Sequence, residues 1–167
     1  MTPQVAFEIS EARTPEELQE CFHLRWERLR KDHGLPHGSE KTDDEDRSIH
    51  VVAKVDGRVV AAGCLFIEDR LVKGLVPRRY GYLRQLAVLD EYEGYGIGTA
   101  MMEEMERLAW DAGAQKIIGY RRGSMARIMD RLGWAVDDDT FVRFGDVEHT
   151  PVAKWRPGGL NRLRGRG

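Results

Sequence analysis

Apolar residues alternate with polar ones at Val5, Phe7 and Ile9, the period of a strand with one buried face. Beyond Thr14 the spacing lengthens to three and four, at Leu18, Cys21, Phe22, Trp26 and Leu29, which predicts an amphipathic helix with that stripe on the core. Thr14-Pro15-Glu16-Glu17 starts it, with an N-cap hydroxyl, a proline at the first helical position and a glutamate placed to reach back. The stretch KDHGLPHGSEKTDDEDRS has no sustained period, and its glycine, proline and charge predict an exposed loop with one short helical turn. From Ile49 the pattern changes to strands, in IHVVAKV and RVVAAGCLFIE, which flank Asp56-Gly57, a dipeptide suited to a tight hairpin turn, so the two should pair antiparallel. YGYLRQLAVL is the next strand, and TAMMEEMERLAWDAG the next helix, its inner face at Ile97, Met101, Met105, Leu108 and Ala109 and its stop at Gly113. A strand, QKIIGYR, follows, then a shorter helix capped by Ser124 and running through Leu132 to Gly133, then strands in WAVDD, TFVRFG and VEHTPVAKW.

This order predicts a mixed α/β (α+β) domain over residues 1–155, with a basic, flexible tail at 156–167. The chain is 167 residues, long enough for a sizeable core. A net charge of -2 supplies no field for nucleic acid, and no apolar run is long enough to span a bilayer, so the expected setting is cytoplasmic, without nucleic acid or membrane. Cys21 and Cys64 lie inside apolar patterns without metal-ligand spacing, which predicts buried free thiols and no metal site.

Between strand and helix stand Gly94, Gly96 and Gly98 at alternate positions. A helix N-terminus carries unpaired N–H groups and the positive end of the dipole, and glycines let an anion approach them. The same glycines also serve a sharp turn with close packing, and the two readings stand side by side. Neither common phosphate loop fits. The P-loop lysine is missing, and Thr99 occupies the third glycine position of a dinucleotide fingerprint.

LAVLDEYEGYGIGTAMM instead resembles the acyl-CoA loop of the GNAT acetyltransferase superfamily, a Gln or Arg, two residues, Gly, one residue, then Gly or Ala. The likeness runs back through Leu86-Ala87-Val88 and forward through SMARIMDRLGW, and covers most of the chain from Phe7 to Trp155. It implies a GNAT-like, mostly antiparallel sheet flanked by helices, with splayed central strands. It further implies acetyl-CoA or another acyl-CoA as co-substrate. The backbone N–H groups of Glu93, Gly94, Tyr95, Gly96, Ile97, Gly98 and Thr99 would face the pyrophosphate, and Leu86, Ala87 and Val88 the pantetheine arm.

Several positions depart from the family pattern. Glu93 stands where Gln or Arg is usual, and its carboxylate is expected to turn outward, with Arg121 and Arg122 as compensating cations or simply a solvated pair. Met129 takes the place of a tyrosine that protonates the leaving thiolate. Another group or a water then donates, or the thiolate departs unprotonated, which a thiol pKa of about 8.5 tolerates. Tyr82 occupies the position of a glutamate base and is either a catalytic group or a packed ring. Arg84 shares its strand face and binds either an acidic portion of the substrate or a structural partner. His149 is placed by the family's closing strand near the substrate end, as a proton-transfer group or a structural one.

The resemblance therefore implies an N-acetyltransferase acting by direct attack of a primary amine, carried by a small molecule or a peptide, with pairing into a homodimer a common outcome for look-alikes. The alternative from another class is an acyl-CoA-binding sensor with little catalysis.

Overall fold

In a computed structural model of the chain the described residues are 4–74, 76–123, 125–143 and 147–158. Thr14 caps the first helix, α1 (Pro15–Leu29), and its Oγ1 accepts from the Glu17 amide at 3.1 Å. Glu17 reaches back one residue further than a capping box requires, accepting from the Arg13 amide. The opening strand, β1 (Glu8–Glu11), is shorter and later than the alternation indicates, although Val5, Phe7 and Ile9 all pack on the core. The loop after α1 carries two 3-10 turns, Lys31–His33 and Glu45–Arg47, where one was expected.

Strands β2 (Ile49–Val55) and β3 (Arg58–Val72) form the hairpin, with φ of 50° at Asp56 and 78° at Gly57, the pair of positive angles that matches strand twist. β4 (Val76–Val88) returns antiparallel to β3, and both strands run well past the segments that the apolar pattern marks. Then come α2 (Ile97–Asp111), β5 (Lys116–Arg121), α3 (Met125–Arg131), β6 (Ala135–Val136), β7 (Phe141–Arg143) and β8 (Val147–Trp155). Ser124, the expected cap of α3, and the tail from residue 159 lie outside the described residues.

The eight strands follow the order β1-β2-β3-β4-β5-β8-β6, with β7 paired to β8, and β4–β5 is the parallel pair among antiparallel neighbours. A core lies on each face. Val51, Ala53, Val60 and Leu65 meet Met101, Met102 and Met105 of α2 on one side. Val52, Val59, Ala62 and Ala87 meet Cys21 and Leu24 of α1 on the other. A strand buried on both faces has no reason to alternate, which is why IHVVAKV reads as nearly continuous apolar sequence. Burial of each α2 methionine contributes roughly 2 kcal/mol, and together they fix α2 against the sheet.

The α1 stripe is met in part, with Leu18, Cys21 and Leu29 packed on the core beneath the helix. Cys21, Leu24 and Arg25 are the buried positions, while Phe22 and Trp26 are half-buried. Trp26 donates to the Leu35 carbonyl and stacks on His37, so it covers the loop that follows the helix.

One irregularity opens the sheet. Between paired positions, β3 has Gly63 alone where β4 has Gln85 and Leu86, and Gln85 takes φ of 53°. The extra residue is a bulge, which bends its strand. β4 pairs with β5 at Tyr80, Gly81 and Tyr82, and beyond Tyr82 the two part. The gap so created lies directly ahead of the glycine turn.

Candidate active site

The three glycines divide their work. Gly94 and Gly96 each adopt φ of 82°, and a Cβ on either would meet nothing within 4 Å, so the backbone angle rather than crowding demands glycine there. Gly98 has an ordinary angle, but a Cβ would stand 3.0 Å from Ile128 Cδ1, so its role is close packing against α3. Gly96 is the N-cap of α2 and offers no side-chain cap. The first helical bond runs from the Ala100 amide to the Gly96 carbonyl, which leaves the amides of Ile97, Gly98 and Thr99 without intrahelical partners.

Those amides border a cleft of about 1380 Å³ whose walls are Leu86–Val88 of β4, residues 92–100, and α3. Arg28, Arg122, Arg127 and Arg131 also line it. Every residue expected to hold an acyl-CoA, namely Leu86, Ala87, Val88, Glu93, Gly94, Tyr95, Gly96, Ile97, Gly98 and Thr99, is therefore in one place. An open helix mouth, room above the glycines and a wall of guanidiniums suit a diphosphate.

Glu93 is neutralised from an unforeseen direction. Arg28 of α1 donates to Glu93 Oε1 at 3.2 Å, lies 2.6 Å from Asp90 Oδ1, and through Nε donates to the Val88 carbonyl at 3.0 Å. Of the cations expected to compensate, Arg121 is paired with Asp130, whereas Arg122 does line the cleft. Arg131 donates to Thr99 Oγ1 at 3.3 Å.

A second pocket, about 530 Å³, adjoins the first at Leu29, Leu86, Arg122 and Met125. Arg84 and His149 both line it, 65 residues apart in sequence, as do Tyr120 and Met129. Arg84 is ion-paired with Asp44 from the loop after α1, and its guanidinium lies over the Phe66 and Tyr82 rings. Burial alone would raise the Asp44 carboxyl, but the Thr42 hydroxyl and Arg84 outweigh it and hold the group below its ordinary range. Tyr82 does not line either pocket; its hydroxyl accepts from Arg70 at 2.8 Å, and burial pushes its pKa up.

His149 is buried against Tyr120 and Phe141. Its Nδ1 donates to the Val147 carbonyl at 3.0 Å, which leaves Nε2 as the acceptor facing Arg122 at 3.4 Å. Burial first, then Arg122, Arg143 and Arg30, lower its pKa despite the Val147 bond, so the imidazole is neutral at pH 7.

Sequence reasoning missed the charged residues inside the protein. Arg25 is fully buried, donating to both Glu45 oxygens at 3.3 Å and to His50 Nδ1 at 2.8 Å. Glu45, His50 and Cys64 offer ligand atoms within 4.8 Å of one another, a metal-like triad. The Arg25 guanidinium already bonds two of the three, so this cluster is an ion-pair network that ties the loop after α1 to the core. Tyr120 was read only as part of a strand. Its signal was position, near the end of β5 and two residues before Arg122.

Comparisons with known proteins bear on the family and the fold. The sequence pattern of the Acetyltransferase (GNAT) family matches residues 13–125. The uncharacterized N-acetyltransferase YjcF of Bacillus subtilis (strain 168) is 29% identical over 143 residues, 86% of this chain and 96% of that protein. Among solved structures, an acyl-CoA N-acyltransferase from Pseudomonas aeruginosa superposes with a TM-score of 0.68 at 14% identity, covering 90% of this chain and 99% of the other. An acetyltransferase of the GNAT family from Streptococcus pneumoniae gives 0.64 at 17%, covering 90% and 100%. At these identities the structures establish the fold, and no helix among the described residues is long and apolar enough to cross a membrane. With more than half its length matched by the family pattern, the chain belongs to the GNAT family of acetyltransferases.

Proposed function

We propose that the protein transfers an acetyl group from acetyl-CoA to a primary amine. The observation that carries this reading is the uncapped start of α2, three amides and two left-handed glycines at the mouth of a cleft lined with arginines. The pyrophosphate sits on the amides of residues 94–99, and the pantetheine arm follows Leu86–Val88 toward the gap between β4 and β5. The thioester then arrives where the two pockets meet, at Leu86 and Arg122.

The acceptor enters from the smaller pocket as a neutral amine. Its nitrogen attacks the thioester carbonyl, the C–N bond forms, the C–S bond breaks, and CoA leaves as thiolate. A proton is lost from nitrogen and one is gained by sulfur. Met129 supplies none, and Tyr120 is the phenol that lines this pocket, so we assign Tyr120 the protonation of the thiolate. His149 Nε2 carries the lone pair for the amine proton once the Arg122 contact yields. Tyr82, held by Arg70 outside the pocket, orients Arg84 through its ring.

Thiol release from acetyl-CoA across a panel of amines tests the reading. Turnover with at least one amine is expected, and CoA binding without turnover on any of them would leave a ligand-binding domain in place of an enzyme.

A further inference from the structure

The smaller pocket has an uneven charge distribution. Arg30, Arg47, Arg84, Arg122 and Arg143 line it, against Asp43, Asp44 and Glu68. The arginines are not equivalent. Arg84 is paired with Asp44, Arg30 donates to the Ser39 and Leu29 carbonyls and to Gln85 Oε1, and Arg47 and Arg143 lie over the Phe66 and Phe141 rings. Arg30, Arg122 and Arg143 come from α1's end, β5's end and β7, three elements far apart in sequence, and all three act on His149.

Resting on the acetyltransferase reading above, we propose that the acceptor amine carries an anionic group, a carboxylate or a phosphate, which binds between Arg122 and Arg143 beside His149. Arg122 meets no carboxylate within 4.0 Å among the described residues, and its contact there is to His149 Nε2. One of its five N–H donors is used in that contact, and the rest remain for an oxygen-rich ligand. Like charges gathered in a partly desolvated pocket repel one another, and an anion relieves both the repulsion and the lost solvation. The arginines record that tension. Burial first and Arg122 next pull Arg30 down to about 10, against the opposing pull of Glu40, and burial alone lowers Arg122.

The same arrangement gives His149 two successive states. Its Nδ1 is fixed by the Val147 carbonyl and its Nε2 holds Arg122 at the junction of the two pockets, and an anion that draws the Arg122 guanidinium to itself frees Nε2 for the amine proton. An anion held there leaves the amine end of the acceptor on the side of Leu86, toward the thioester.

Matched amine pairs test the proposal: a free amino acid against its amide for the carboxylate, and aminoethyl phosphate against ethanolamine for the phosphate. The anionic member of at least one pair is expected to have a kcat/KM about 10-fold higher or more, the size of one charge-assisted contact. Which pair responds identifies the anion. Arg143→Gln should erase the preference and Arg143→Lys should keep most of it, while an acetyl-CoA titration of each variant reports that it is folded. Equal or better turnover of the uncharged members overturns the anionic acceptor and leaves the acetyltransferase intact. No turnover of any amine by a protein that binds acetyl-CoA overturns both.

Discussion

Arg28 and Glu93, 65 residues apart, form an ion pair at the lip of the larger cleft, with Arg28 Nη2 donating to Glu93 Oε1 at 3.2 Å. On the proposed reading, the pair neutralises a carboxylate that would otherwise face the diphosphate. It also couples α1 to the end of β4 and the glycine turn, because the same arginine holds the Val88 carbonyl.

Removing Arg28 alone should expose the phosphates to an uncompensated Glu93. Arg28→Gln is expected to weaken acetyl-CoA binding roughly 5-fold, about 1 kcal/mol for a partly exposed pair. Glu93→Gln should tighten it slightly, and the double variant should return close to the wild-type affinity. Calorimetric titration of the four proteins gives the coupling directly. Additive effects would show that the two side chains act independently.

The division of labour among the glycines predicts different failures. Gly96→Ala forces a side chain into the left-handed region at a cost of about 1–2 kcal/mol and should disturb the helix mouth, so acetyl-CoA affinity falls. Gly98→Ala pushes on Ile128 Cδ1, the far end of a side chain, so its effect should be on stability and should be largely reversed by Ile128→Val. Thermal unfolding and ligand titration of the same variants separate the two.

Cys21 and Cys64 are both free and buried. Burial pushes the Cys21 thiol up to about 11, despite Arg25 nearby, and raises Cys64 as well. Neither should react with a thiol-disulfide reagent at pH 8 while the protein is folded, and both should react once it is unfolded in denaturant. A fast-reacting thiol in the native protein would contradict their placement.

Much of this was legible in the sequence because it was local. Thr14 and Pro15 announced α1, Asp56-Gly57 announced the first hairpin, and the run from Leu86 to Thr99 announced the cleft. What stayed hidden depended on distance. Arg25 reads as a surface residue until Glu45 and His50 fold over it, and Arg28 gives no hint that its partner lies in the acyl-CoA loop. Gln85 stands in the sequence as a polar residue in an otherwise apolar strand. That it adopts a positive φ and opens the sheet follows from the extra residue it adds opposite Gly63, which is a property of two strands together.

His50 makes stability depend on pH in a defined window. Burial first, then Arg25 of α1, lower its pKa, and Glu45 and Glu11 of β1 act in the opposite direction without cancelling the shift. The folded pKa is below the unfolded value of about 6.5, so the unfolded chain binds the proton first as pH falls. This contribution is present above about pH 6.5 and is lost as pH falls through the folded pKa. The melting temperature should therefore decline between pH 7 and 5, and His50→Gln should flatten that part of the curve. His149, lowered for similar reasons, adds to the same slope, whereas Asp44, lowered from the carboxylate range, contributes only at more acid pH. An unchanged slope in the His50 variant would assign the dependence elsewhere.

The central claim is that main-chain amides at the start of α2 hold the diphosphate of an acyl-CoA. Titration of isotope-labelled protein with coenzyme A, followed amide by amide in a nitrogen–proton correlation spectrum, tests it most directly. The account predicts that the amides of Ile97, Gly98 and Thr99 shift most, and together, at one saturating concentration. Binding that leaves those three in place while moving amides elsewhere would contradict it.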